Sequence, residues 1–244
     1  MSHKQKHRGQ NSKDPELFHE NVLPILNQAV YDLSWLRSRG YADKSGLKLV
    51  GDRYKLKQRQ RKALYRAYCT DHAQESRASK ELSLREVRGK KLAIDGYNLL
   101  ISIESGLAGG LVFNCRDGTY RDIASIHGTY RRVEETLPAL KLIGKSIKDL
   151  GIESSHWFLD QPISNSGRLR HMMLEIAQAH EFTWEIDLVN NPDKAIAELE
   201  GHVAISSDGW ILDESESWFN LNRYIIDQLP EANVLDLRGI EQPS

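Results

Sequence analysis

Residues 92–100 read LAIDGYNLL. Leu92, Ala93 and Ile94 form a short apolar run, the mark of a strand buried on both faces. Asp95 ends the run, Gly96 permits a tight turn, and an apolar pattern compatible with a helix resumes over 97–103. A carboxylate at the C-terminal end of a buried strand, where the chain turns into a helix, stands where open α/β sheets place ligands. An Asp-Gly pair after a strand is also an ordinary turn. The weight of this stretch therefore depends on whether similar aspartates recur downstream.

They do. HWFL at 156–159 predicts a strand ending at Asp160, and a strand over 202–206 is followed by Asp208. Further periodicity predicts helices over 166–180, 192–200 and 218–229, and strands over 182–189 and 233–237. Strands alternating with helices specify an α/β fold, a largely parallel sheet with helices on both faces. The C-terminal ends of parallel strands share one edge, so Asp95, Asp160 and Asp208 are expected to converge there. Asp193, in NNPDKAIAEL, has an ordinary helix-start setting, with Asn191 as N-cap and Pro192 at the first position. It nevertheless follows the strand ending near Val189 and falls on the same edge. Four carboxylates together repel one another unless a cation neutralises them. Hard ions that prefer oxygen ligands, Mg2+ or Mn2+, suit such a set.

The net charge of −1 conceals a division. Residues 1–90 hold 20 Lys+Arg against 10 Asp+Glu, whereas residues 91–244 hold 13 against 24. A basic segment joined to an acidic one points to nucleic-acid contact by the basic part. Residues 1–14 are polar without periodicity and are expected to be disordered. Residues 15–39 predict a helix that Pro24 kinks or splits, and 41–51 a loop or short hairpin. RYKLKQRQRKALYRAY at 53–68 predicts a helix on which Lys55, Arg59, Lys62 and Arg66 line one face, either a solvated face or a phosphate-contacting stripe. Residues 15–89 thus read as a basic helical domain ahead of an α/β domain at 90–244. Within the latter, GLAGGLVFNCRDGTY (106–120) predicts a hairpin turning at Asp117-Gly118, and 122–150 a long helix broken near Pro138. PISNSGRLRH, at 162–171, offers a helix start at which Arg168 can meet a phosphate. Arg121, Arg131 and Arg132 read as surface charges, and Trp210 as the tryptophan to test for base stacking.

Cys69 and Cys115 form no ligand-spaced pair, which excludes a cysteine zinc site and a disulfide framework. No apolar run reaches bilayer length and the N-terminus has no signal-peptide core, so a cytoplasmic protein without membrane contact is expected.

The set IDGYN, FLDQP, PDKAI and ISSDGWIL, in this order, resembles the PIN-like nuclease superfamily, especially its NYN branch, over about residues 90–237. The resemblance implies a nuclease that binds divalent metal through clustered acids and hydrolyses phosphodiester bonds, most often in RNA. It implies that Asp95, Asp160, Asp193 and Asp208 hold the metal and carry catalysis, with Asn98 as the amide of the first motif. Lys194 stands where the third motif often has a second acid, which lowers the local negative charge. The competing reading is a PIN-like nucleic-acid-binding or regulatory protein without catalysis. A haloacid-dehalogenase phosphatase would need an Asp where Tyr97 stands, and no G-x-G-x-x-G follows the first strand to support a dinucleotide site. The RNA target, the mode of cleavage and the oligomeric state, a homodimer included, stay open.

Overall fold

The apolar runs become strands β1 (Lys91–Asp95), β4 (Ser154–Asp160), β5 (Trp184–Val189) and β6 (His202–Ile205). In the computed structural model, which describes residues 7–124 and 128–239, these four run parallel in the order β5-β4-β1-β6. The chain moves outward from β1 through β4 to β5, then returns to the other side of β1 for β6. The order therefore reverses between β1 and β6, and that is where an open sheet leaves a crevice beyond its strand ends.

Both faces are covered, as the alternation requires. Leu92, Ile94, Trp157, Leu159, Ile186, Val203 and Ile205 point into one core. Helices α6 (Gly96–Leu107), α7 (Thr136–Asp149), α8 (Ser166–His180) and α11 (Leu221–Ile226) close it. On the opposite face Ala93, Phe158 and Ala204 meet Ile196 of α9 (Pro192–Ala197) and Ile211 and Leu212 of α10 (Gly209–Glu214). Gly96 serves close packing rather than a positive φ: a Cβ there would sit 2.6 Å from Leu159 Cδ2 and 3.1 Å from the Phe158 carbonyl.

The hairpin forms as expected from β2 (Leu111–Cys115) and β3 (Tyr120–Asp122), with Gly118 at φ +78. The last strand, β7 (Asn233–Leu237), does not join the main sheet; it pairs parallel to β2 in a second, three-stranded sheet. Leu111, Phe113, Cys115 and Leu237 of that sheet share a core with Leu26, Ala29, Val30, Leu33, Val50 and Leu64. Those partners belong to α2 (Leu23–Ser38), α3 (Asp43–Arg53) and α4 (Gln58–Ala67), with α1 (Asp14–Leu17) before them and α5 (Asp71–Lys80) after. The amphipathic N-terminal helices bury their apolar side against β2 and β7.

Several expectations are corrected. Residues 7–14 are packed rather than loose: Arg8 is buried and donates to Glu104 Oε2 at 2.7 Å, an inward-facing carboxylate that needs a cation. Residues 1–6 of the expected tail lie outside the described part. The loop expected at 41–51 is mostly helix, α3, which packs on α2 through Val50. The long helix expected from 122 starts only at Thr136, with Pro138 in its first turn, where a missing N–H costs nothing. Trp218 is not helical; it is fully buried and its indole N–H donates to the Arg77 carbonyl at 2.7 Å. No helix among the described residues is long and apolar enough to cross a membrane.

Candidate acidic site at the sheet edge

Asp95 closes β1 and caps α6. Its Oδ1 accepts the Asn98 backbone N–H at 3.2 Å, and its Oδ2 accepts the Ser206 hydroxyl at 3.0 Å. Ser206 follows β6 and in turn accepts the Asp208 N–H at 3.0 Å. Asn98 Oδ1 accepts both the N–H and the hydroxyl of Ser207, at 3.1 and 2.8 Å. Asp208 caps α10 by accepting the Trp210 N–H at 2.9 Å. The turns after β1 and β6 are thus stitched together across the reversal of strand order. Asn98, the amide of the first motif, thus uses its carbonyl oxygen to position Ser207.

Asp160 closes β4, half-buried, and Asp193 lies exposed in the first turn of α9, whose N-cap Asn191 accepts the Lys194 N–H at 3.0 Å. Strand ends in a sheet are spaced by about 4.8 Å, so those of β4, β1 and β6 span roughly 10 Å. The carboxylates sense one another across that edge. Burial first, then the charges of Asp193 and Asp208, push Asp95 up to about 7 against the pull of its two hydrogen bonds. Burial raises Asp193, and the charges of Asp208 and Asp160 add to it. Burial also raises Asp160. Lys194 turns away to Glu198, 3.6 Å along its own helix.

The spacing has a limit. Among the described residues, the group that brings three possible metal-ligating atoms within 4.8 Å of one another is His156, Glu185 and Asp187, on β4 and β5. No three of the four aspartates approach that closely.

A buried network that the sequence reading missed holds the Asp208 loop. Arg121, expected at the surface, is only 4% exposed and donates to the Ser207 carbonyl at 2.7 Å. Its guanidinium also meets Asp117 at 2.6 and 3.0 Å. Arg77 of α5 bonds the same Asp117 at 2.6 Å and Asp213 of α10 at 2.7 and 2.8 Å. Burial alone would raise Asp117; the two guanidiniums overcome it and hold the carboxyl well below the usual range. The i,i+4 spacing of Asp117 and Arg121 spans a hairpin turn, so helical periodicity gave no signal for the pair.

The basic stripe is broken up. Lys55 lies outside α4 with φ 52. Arg59 is taken by Asp14 Oδ2 at 2.8 Å and the Gly9 carbonyl at 3.0 Å. Arg66 gives its Nε–H to the Asp122 carbonyl at 3.1 Å, while Lys62 is exposed. Arg66 nevertheless lines one cleft with Asp208, together with Arg37, Tyr65, Tyr68 and Arg77. Arg168 is exposed at the start of α8, in a separate cleft with Arg131 and Arg132.

The chain is similar to an uncharacterized protein of Methanocaldococcus jannaschii, 28% identical over 207 residues, which cover 85% of this chain and 96% of that protein. No solved structure matches it. Residues 25–80 match a family described as a protein of unknown function, DUF434. Residues 84–224, more than half of the chain and all four aspartates, match a second family. The protein thus belongs to the family described as a domain of unknown function, DUF5616.

Proposed function

We propose that the protein is a metal-dependent nuclease of PIN-like type that hydrolyses phosphodiester bonds, in RNA rather than DNA. The observation that carries this reading is the gathering of Asp95, Asp160, Asp193 and Asp208 at one edge of the sheet, where the charges of Asp193 and Asp208 act on Asp95 and those of Asp208 and Asp160 act on Asp193. The donor set fits Mg2+ or Mn2+: every side chain offers carboxylate oxygen, and clustered negative charge favours a divalent ion. When bound, such an ion lowers the pKa of a ligated water and stabilises charge on a phosphoryl oxygen.

The chain's own residues supply the positioning. Ser206 and the Asn98 N–H fix both oxygens of Asp95, so that carboxylate meets a ligand without reorganising. Asn98, Ser207 and Arg121 hold the backbone that presents Asp208. Asp160 and Asp193 approach from the β4 and β5 side. The basic side chains beside Asp208, Arg66 foremost, favour a phosphate backbone in that cleft.

The second reading, a nucleic-acid-binding protein without catalysis, draws on the fact that no three of the four aspartates bring their oxygens within 4.8 Å of one another. Lys194, standing where a second acid is often found, also favours it, with its ammonium paired to Glu198. Cleavage of a single-stranded RNA by purified protein in Mn2+ separates the two. Product formation that disappears in EDTA and in Asp208→Asn supports the nuclease; intact RNA with wild-type protein and Mn2+ removes it.

A further inference from the structure

Two adjoining clefts share Tyr65 and Arg66. The first, about 630 Å³, is walled by Lys44, Leu47, Arg61, Lys62 and these two residues. The second, about 300 Å³, runs from them to Ser207, Asp208 and Gly209. The two clefts adjoin at Tyr65 and Arg66, giving a groove that leads from the helical region towards Asp208.

The charges in the groove leave cations to spare. Its acid Asp43 is paired with Arg37 at 2.6 Å, and Asp213 with Arg77 at 2.7 Å. Arg61 is spent on Asp52 at 2.7 Å. Lys44 and Lys62 are exposed without a carboxylate partner among the described residues, and Arg66 comes no closer than 4.0 Å to the Asp122 carboxylate. Between them stands Tyr65, 51% exposed, its ring 5.7 Å from that of Tyr68. An exposed aromatic ring beside two lysines without carboxylate partners, and beside the more loosely paired Arg66, combines the two devices that hold unpaired bases: a stacking face and a phosphate grip. A duplex cannot use the ring, because each of its base faces is already covered by a neighbouring pair.

We propose that this groove binds a single-stranded polynucleotide, with one base stacked on Tyr65 and the adjoining phosphates on Lys44, Lys62 and Arg66, and delivers it to Asp208. The helical region then selects single strands over duplexes. This rests on the nuclease reading for what happens at Asp208, but binding is measurable apart from cleavage.

The test is fluorescence anisotropy of the full chain in EDTA, so that cleavage cannot intervene, with a labelled single-stranded RNA and the same RNA annealed to its complement. The single strand should bind at least about tenfold more tightly. Tyr65→Ala should weaken it about tenfold, the weight of one stacked base, with little change in salt dependence. Tyr65→Trp should retain binding, and Lys62→Gln should reduce the salt slope by about 1. Tyr65 is half in solvent, and a thermal melt of each variant establishes that it is folded. Equal affinity for the duplex, an unaffected Tyr65→Ala, or equal displacement by polyglutamate would overturn the proposal. Tight, Tyr65-dependent binding by a protein that never cleaves would uphold the groove and remove only the nuclease reading.

Discussion

Replacing Asp95 by Asn should stabilise the metal-free protein, and only above mildly acid pH. The folded environment raises the Asp95 carboxyl from 3.8 to about 7, first through burial and then through Asp193 and Asp208. At about 1.4 kcal/mol per pH unit, holding that group ionised costs the folded state up to about 4 kcal/mol. Asp95 is only half-buried, and solvent relaxation brings this to about 2–3 kcal/mol. The amide loses the Ser206 hydroxyl bond, about 1 kcal/mol, but keeps an oxygen for the Asn98 N–H that caps α6. The net gain is about 1–2 kcal/mol, or about 3–6 °C in Tm for a chain of this size. Because the folded pKa lies above the unfolded one, the penalty is complete above pH 7, shrinks as pH falls, and is gone below about pH 4. Thermal melts of both proteins in EDTA at pH 8 and pH 5 test this, the difference being larger at pH 8. A variant that melts lower than wild type at pH 8 would refute the reasoning and make Asp95 chiefly a structural cap.

Asp208→Asn should abolish Mn2+-dependent cleavage of single-stranded RNA, while its far-UV circular dichroism matches wild type. Arg121→Met strands Asp117 in the interior with Arg77 alone, and a urea melt should show a loss of about 3 kcal/mol. Removing residues 1–90 bares the face of β2 and β7 that carries Phe113 and Leu237, so the fragment should aggregate or lack a cooperative melt; a folded, monomeric fragment would show the helical region to be detachable. Mn2+ affinity, read by calorimetry, should weaken as pH drops below 7, because Asp95 must shed its proton before it can ligate.

The main sheet was legible because its strands are short apolar runs, each followed by a recognisable turn residue. Leu92 to Ile94 and Trp157 to Leu159 are buried where the pattern put them. The four aspartates were legible for the same reason, since parallel strands deliver their C-terminal ends to one edge. Burial of charge was not. Arg121 read as a surface charge because its partner, Asp117, sits in a turn whose tertiary neighbours, Arg77 among them, no local period encodes. Arg8 was hidden in a polar tail in the same way: the carboxylate that orders it, Glu104, lies 96 residues away. Within the α4 stripe helical spacing counted cations on a face but not the acids that claim them, as Asp14 claims Arg59. Strand β7 was found at its residues yet expected in the main sheet, because period and composition do not choose a strand's neighbour.

The proposed nuclease requires the four carboxylates to hold one divalent centre. A crystal soaked in Mn2+ and measured for anomalous scattering addresses that claim most directly. A peak flanked by Asp95 and Asp208, with Asp160 or Asp193 reaching it directly or through water, is the predicted result. A peak at His156, Glu185 and Asp187 alone, or none at the sheet edge in millimolar Mn2+, would contradict it.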